Sequence, residues 1–441
     1  MNQYQYDTIV IGSGPAGLAA AFTLANNNQK VAIIEKYLWG GTCPNYGCDP
    51  KKILLTAVET VERQNHLNGL GIDGQSKINW NDLQTHRKEY VDAVHPRKIK
   101  GLDNAKIEHF DGLGKFIDQH SIQINDDQII TAENIIIAVG QRPKTLEFLG
   151  AEYLLDSEQF LQMEKLPEDV LFIGAGYVGM EFATIMAVAG VKTYVATHGN
   201  QVLRKFDQEL VAGVVENLKA KQVEFLMEKS VIKIEKTADK FQVTFNDNTT
   251  LTVAAVYNAA GRVGNADTIN PETANVAVND KQNIKVDQYM KAAENIYVVG
   301  DVAEAGVEKL VPTGNYQGFY VANQILGNDT NPIEYPTVAS VVFTSPKIAK
   351  AGISPDSNLS DITVKTFDMK KVITFYRAND KAIVKSALKN DVMVGATVAS
   401  ELAEELINPF VEAINHKQTQ ADALKVLYAY PSLASDIAGY F

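Results

Sequence analysis

Apolar residues in this chain gather into short unbroken runs, and several of them end at glycine. Ile9-Val10-Ile11 has the length of a buried strand and leads into Gly12-Ser13-Gly14-Pro15-Ala16-Gly17. A stretch rich in Ala and Leu, Ala16 to Ala25, reads as a helix, and the next run, Val31-Ala32-Ile33-Ile34, ends at Glu35. The order is βαβ. It recurs downstream: Val170-Leu171-Phe172-Ile173 leads into Gly174-Ala175-Gly176-Tyr177-Val178-Gly179, a helical Met180 to Ala189 and a strand over Lys192 to Ala196. Each unit has a later strand that also closes on glycine, Ile135 to Gly140 for the first and Val256 to Gly261 for the second. Asn295 to Asp301 reads as one more buried strand, followed by a helix over Tyr316 to Leu326.

Other patterns fill the gaps. Ile53, Leu54, Ala57, Val58 and Val61 fall at helical spacing behind Cys48, with Pro50 in a first-turn position. Residues 63–100 are polar and predict helix, with Trp80 as a packing residue. Residues 106–130 alternate as strands do, and residues 141–167 read as a linker. After Pro336 the pattern turns to hairpins and then helices. The fold class is α/β, with two Rossmann-like dinucleotide-binding domains and a C-terminal α+β domain. The predicted division is 1–150, 151–265, 266–335 and 336–441.

The two glycine-rich turns carry chemistry. Glycines there allow a tight turn and let a pyrophosphate approach the backbone at a helix N-terminus. Glu35, 23 residues after Gly12, can accept hydrogen bonds from both hydroxyls of an adenosine ribose. The second unit has no such acid: its strand ends in Ala196-Thr197-His198. An acid there would repel a 2′-phosphate, whereas His198 and Arg204 can hold one, which favours NADPH over NADH.

Cys43 and Cys48 are the only cysteines in 441 residues, and they sit in Gly40-Gly41-Thr42-Cys43-Pro44-Asn45-Tyr46-Gly47-Cys48. Two thiols without a nearby histidine are too few for a zinc site. Their spacing beside a dinucleotide fold points to a redox pair. The N-terminal segment lacks basic residues and no apolar run could span a bilayer, so a cytoplasmic location is expected. In that compartment thiol pairs are more often catalytic than structural. A formal net charge of −12 argues against nucleic acid and anionic membranes as partners.

These elements, in this order, resemble the flavoprotein pyridine nucleotide-disulfide oxidoreductases, and the glutathione reductase branch in particular. The resemblance rests on Gly12 to Gly17, Gly40 to Lys52, Gly174 to Glu181, Gly300-Asp301, and Pro336-Thr337-Val338 through Phe343-Thr344-Ser345-Pro346. It implies FAD in the first site, with Gly12, Gly14, Gly17 and Glu35 on the ADP half. Gly41 and Thr42 would lie along the cofactor, Gly114 against adenine and Asp301 on the ribityl chain. The second site would take NADPH, with NADH as the alternative, through Gly174, Gly176, Gly179 and the later Gly261. Tyr177 would cover the flavin until nicotinamide displaces it, and Lys51 and Glu181 would form an ion pair near the flavin's reactive nitrogen. Cys48 would be the charge-transfer thiolate and Cys43 the thiol that attacks substrate, in a homodimer built through the C-terminal domain.

Two departures narrow the expected substrate. Glutathione reductases end in a His-Pro-Thr segment whose histidine, oriented by a glutamate, serves the partner subunit's thiols. Here Tyr430 stands at the histidine position and Ser435 at the glutamate position, and His416 lies outside the motif. The substrate-binding arginine of the first helix is also missing, its place falling at Phe22 or Thr23. The expected reaction is NADPH-dependent reduction of a small disulfide or thiol-reactive oxidant such as hypothiocyanous acid. Reduction of glutathione, coenzyme A or another low-molecular-weight disulfide with Tyr430 as the acid is the alternative, and a flavin-bound redox sensor is a reading of another class.

Overall fold

The computed structural model describes residues 3–355 and 359–441. The run Ile9-Val10-Ile11 lies inside β1 (Tyr6–Ile11), followed by α1 (Pro15–Asn26) and β2 (Val31–Glu35). β1 and β2 are parallel, with Ile9 opposite Ala32, and Gln128–Ile137 pairs in parallel on the other side of β1, with Ile9 opposite Ile135. Parallel strands covered on both faces must be apolar throughout, which is why the sequence shows runs here rather than alternation. The sheet order is Lys291–Ala293, Ile296–Val298, Gln128–Ile137, β1, β2, β3 (Glu108–Asp111). The helix Val311–Ile325 packs on α1 at backbone distance: a Cβ on Gly318 would sit 2.3 Å from Ala16 O. Together with Met1–Lys52 and Thr85–Lys144, the segment Arg262–Glu334 makes up one compact unit.

A second unit comprises Ile53–Gln84, Thr145–Gly261 and Tyr335–Phe441. Its parallel sheet runs Val223–Leu226, Lys192–Ala196, Asp169–Ile173, Ala255–Asn258. A three-stranded antiparallel sheet, Val231–Thr237, Lys240–Phe245 and Thr250–Val253, belongs to the same unit. The C-terminal part forms a five-stranded antiparallel sheet. The helix Ala403–Asn415 buries Leu406, Ile407 and Phe410 in the core that this sheet helps to form.

Two elements differ from the sequence pattern. The polar stretch predicted as helix over 63–100 holds the end of α3 (Cys48–Leu67), then α4 (Trp80–Asp92) and α5 (Val94–Asn104), with no helix over 68–79. Gly69, Gly71 and Gly74 in that gap all have positive φ, which interrupts a helix. Trp80 packs as predicted and donates from Nε1 to Met163 O at 2.9 Å. The stretch predicted as a linker holds a strand, Gln141–Pro143, antiparallel to Arg262–Gly264, and a helix Ser157–Leu161 closed by a capping box at Asp156. Neither has an apolar signature of its own.

Candidate active site

The first glycine turn is built by contact. Gly12 has φ +106°, and a Cβ there would meet Ala138 O at 2.4 Å. Over Gly14 the space is open, as a pyrophosphate at the N-terminus of α1 requires. Glu35 closes the turn from the end of β2: its Oε2 accepts from Ser13 N at 2.9 Å and Ser13 Oγ at 2.7 Å, and its Oε1 accepts from Tyr37 N at 2.9 Å. Oε2 is thereby filled, and Oε1 keeps a second lone pair for a ribose hydroxyl.

The same serine ties in the cysteine loop, since Ser13 Oγ accepts from Gly40 N at 3.0 Å. Gly41, at φ +67°, would place a Cβ 2.7 Å from Gly14 Cα, so the loop lies directly on the turn. Asn45 holds its shape by donating from Nδ2 to Trp39 O at 3.1 Å and Gly41 O at 2.8 Å. Gly114 is buried at the start of the strand Gly114–Phe116. Asp301 lies in a short 3-10 turn, and burial pushes its carboxyl up while Arg262 and Lys309 favour its charge. A buried carboxylate with cations nearby and an open glycine cradle fit the ribityl and pyrophosphate parts of FAD.

Cys43 sits in α2 (Thr42–Tyr46), and Cys48 is the first residue of α3, where the helix dipole favours negative charge. Cys43 is half-buried and Cys48 exposed. The Cys43 thiol is pushed up, first by its hydrogen bond to Cys48, then by burial and by the carboxylate of Asp49. Thr42 opens α2, and Lys51 follows in the first turns of α3.

Sequence reading missed two neighbours of the thiols. Cys43 Sγ donates to Asp49 Oδ1 at 3.6 Å, and the Tyr90 hydroxyl of α4 donates to Asp49 Oδ2 at 2.5 Å. An acid right after a helix-opening cysteine reads as dipole compensation, and nothing in the chain marks Tyr90, 41 residues further on.

In the second unit Gly174 has φ +117°, with its would-be Cβ 2.3 Å from Ala259 O, and Gly176 faces open space at the N-terminus of the helix Tyr177–Val188. The loop after Lys192–Ala196 folds back on this turn, Leu203 N donating to Ala175 O at 2.9 Å. It carries His198 and Arg204, both exposed, while Thr197 is buried. Gly261, at φ +115°, faces open space beyond the strand Ala255–Asn258. Tyr177 is half-buried, its ring edge-on to Phe206 with centroids 5.5 Å apart. Glu181 is buried and accepts from Phe343 N at 3.0 Å. Tyr430 is 74% exposed, and Ser435 is bonded to Ser432. His416 lies at the end of the helix Ala403–Asn415 as an exposed partner of Glu412.

Two glycine turns at helix N-termini, each behind a parallel strand, and a thiol pair lying on the first of them are the parts of a two-nucleotide flavoprotein thiol oxidoreductase. The family model for pyridine nucleotide-disulphide oxidoreductases matches residues 6–320, and that family's dimerisation domain matches residues 338–439. The chain belongs to this family, whose members are oxidoreductases using FAD and NAD(P)H. It is 29% identical over 444 residues to a glutathione reductase of Burkholderia cepacia, covering 99% of this chain and 98% of that one. It is 28% identical over 447 residues to a dihydrolipoyl dehydrogenase of Bacillus subtilis, covering 97% and 94%. Among solved structures, the HOCl-induced flavoprotein disulfide reductase RclA from Escherichia coli shares the fold, with a TM-score of 0.89 at 24% identity over 98% of this chain and 99% of that one. Among the described residues no helix is long and apolar enough to cross a membrane, and no acid, histidine or cysteine cluster could hold a metal ion.

Proposed function

We propose that the protein is a cytoplasmic, homodimeric, NADPH-using reductase that reduces a small thiol-reactive oxidant, with hypothiocyanous acid as the first candidate. Residues 1–150 and 266–335 bind FAD, residues 151–265 bind the nicotinamide nucleotide, and residues 336–441 join the subunits. When bound, the two cofactors supply two electrons at a time to the Cys43–Cys48 pair. Cys48 carries the thiolate and Cys43 attacks the oxidant. Lys51, Glu181 and Tyr177 serve the nicotinamide–flavin step, and His198 and Arg204 hold the 2′-phosphate. The exposure of both residues on a loop bonded back to the glycine turn supports that last assignment.

Residue 430 carries the substrate reading. Cleaving an ordinary disulfide expels a thiolate that benefits from a proton donor, a contribution of ~10²–10⁴-fold. The histidine that gives this help in glutathione reductases is replaced by Tyr430, and His416 belongs to a surface ion pair. A small oxidant can take its proton from a group beside Cys43 and does not need a donor from the partner subunit. A second reading, reduction of a low-molecular-weight disulfide with Tyr430 as acid, is favoured by the exposure of that ring.

The deciding experiment is NADPH oxidation by the FAD-loaded protein with hypothiocyanous acid and with glutathione disulfide side by side. Rapid turnover of the first and slow turnover of the second is the expected result. Rapid turnover of glutathione disulfide overturns the small-oxidant reading, and steady NADPH consumption with either acceptor disposes of a sensor without turnover.

A further inference from the structure

We infer that Asp49 is the proton acceptor and donor for Cys43, held in position by Tyr90, so that the thiol pair carries its acid–base group within its own subunit. The inference rests on the assignment of Cys43 as the attacking thiol.

The geometry is specific. Asp49 follows Cys48 in the first turn of α3, and its two oxygens are divided between two partners. Oδ1 accepts from Cys43 Sγ at 3.6 Å, within reach of a sulfur hydrogen bond, and Oδ2 accepts from Tyr90 Oη at 2.5 Å. A hydroxyl that donates to one oxygen fixes the plane of the carboxylate and aims the other at the sulfur. Tyr90 is itself braced, with the Arg97 guanidinium 5.0 Å from its ring centroid. The groups facing Cys43 are thus the Cys48 thiol and the Asp49 carboxylate, with Tyr90 and Arg97 behind them. Cys43 holds its proton against these negative neighbours, and a thiol that stays protonated needs a base at the moment of attack.

The step balances with hypothiocyanous acid as the oxidant. Asp49 Oδ1 takes the Cys43 proton as the sulfur attacks the sulfur of HOSCN. An S–S bond forms and the S–O bond breaks. The leaving hydroxide takes the proton from Asp49 and departs as water. The Cys48 thiolate then attacks the Cys43 sulfur, expels thiocyanate and closes the Cys43–Cys48 disulfide. Two electrons have left the thiol pair and the oxidant has gained them, while Asp49 ends as it began. A disulfide follows the same route, with the proton passing to the leaving thiolate. Tyr90 touches neither substrate nor sulfur, so it is a positioning residue.

The test is a single-turnover measurement on the FAD-loaded protein with its thiols reduced beforehand. It is mixed with hypothiocyanous acid, or with dithiodipyridine as a neutral chromogenic disulfide, and the thiols left are counted by mass spectrometry. With Asp49 as base, the wild-type rate constant with dithiodipyridine, which does not titrate in this range, is nearly flat from about pH 6 to 8, because the reaction draws on the protonated thiol. In Asp49→Asn only spontaneously formed thiolate can attack. The rate falls ~10²-fold near pH 6 and rises about tenfold per pH step across the same range. Asp49→Glu restores the flat profile, and Tyr90→Phe, which frees the carboxylate to turn from the sulfur, gives a slope with pH between those of wild type and Asp49→Asn. FAD content and melting temperature control for folding of each variant. Asp49→Asn running parallel to wild type, at whatever rate, overturns the inference. Failure of the wild type to react with hypothiocyanous acid overturns the substrate reading alone, because the dithiodipyridine profiles still report on Asp49.

Discussion

Glu401 offers a measurable consequence of burying carboxylates together. It shares a pocket of the second unit with Glu62 and Asp380, and its carboxyl is pushed from an ordinary 4.5 up to about 8, first by burial, then by those two neighbours. The hydrogen bonds agree. Ser345 Oγ lies 2.7 Å from Glu62 Oε2 and 3.3 Å from Glu401 Oε1, and a hydroxyl has one proton to give. The shorter contact takes most of it, so Glu401 receives only a weak share of that donor. The nearby cations are engaged elsewhere, Lys221 with Glu62 at 2.9 Å and Lys347 with Glu404 at 2.5 Å and Glu59 at 3.0 Å. An acid whose folded pKa is raised binds more protons folded than unfolded, so stability falls as pH rises from about 4.5 to about 8. At about 1.4 kcal/mol per tenfold change in proton affinity, the loss is on the order of 5 kcal/mol if Glu401 titrates alone, and less if Asp380 shares it. Glu401→Gln mimics the protonated acid and removes the titration. Melting of the FAD-loaded variant should match wild type near about pH 5 and exceed it by roughly 5–10 °C near about pH 9, for a body of a few hundred residues. Melting curves that differ by the same amount at every pH would refute the argument.

Two further outcomes test the nucleotide and acceptor assignments. Arg204→Ala removes one exposed, charge-assisted contact to a 2′-phosphate, so kcat/KM with NADPH should fall roughly 5–30-fold with little change for NADH; an unaltered NADPH/NADH ratio in steady-state assays excludes Arg204 from phosphate binding. The double variant Tyr430→His with Ser435→Glu should raise kcat with glutathione disulfide by at least about tenfold, part of the ~10²–10⁴ that a positioned acid supplies. No rise at saturating disulfide would mean that the missing histidine is not what limits that substrate.

The nucleotide folds were legible because close packing imposes them on the chain locally. Gly12 and Gly174 must be glycine, since a Cβ at either would collide with a carbonyl at 2.4 or 2.3 Å, and the strands beside them are apolar because both faces are covered. The strand Gln141–Pro143 was not legible, because its only partner, Arg262–Gly264, lies some 120 residues away and both are polar. The helix Val311–Ile325 begins five residues before the predicted Tyr316, since Pro312 and Gly314 hide its first turn. Pro312 suits that turn, and Gly314 is set against Ala16 and Gly300. Within the candidate site, the glycine turns and the loop of Cys43 and Cys48 stand in local motifs of the chain. The contact of Asp49 with Tyr90 was not legible, because α3 and α4 meet in three dimensions and leave no periodic trace.

An acid–base group in the first turn of the helix that Cys48 opens changes what such a site can reduce. A histidine delivered by a partner subunit stands on the far side of the substrate, where it can protonate the thiolate that leaves. Asp49 Oδ1 accepts directly from Cys43 Sγ at 3.6 Å. It helps the attack fully, but it reaches a leaving group only if that group departs close to the attacked sulfur. Under the proposed reading, the Asp49–Tyr90 pair handles within one subunit the proton that the histidine of glutathione reductases handles across the dimer. The missing arginine of α1 fits as well, since Phe22 and Thr23 offer no charge to a peptide carboxylate: Thr23 bonds Ala19 O, and Phe22 packs near Gly101.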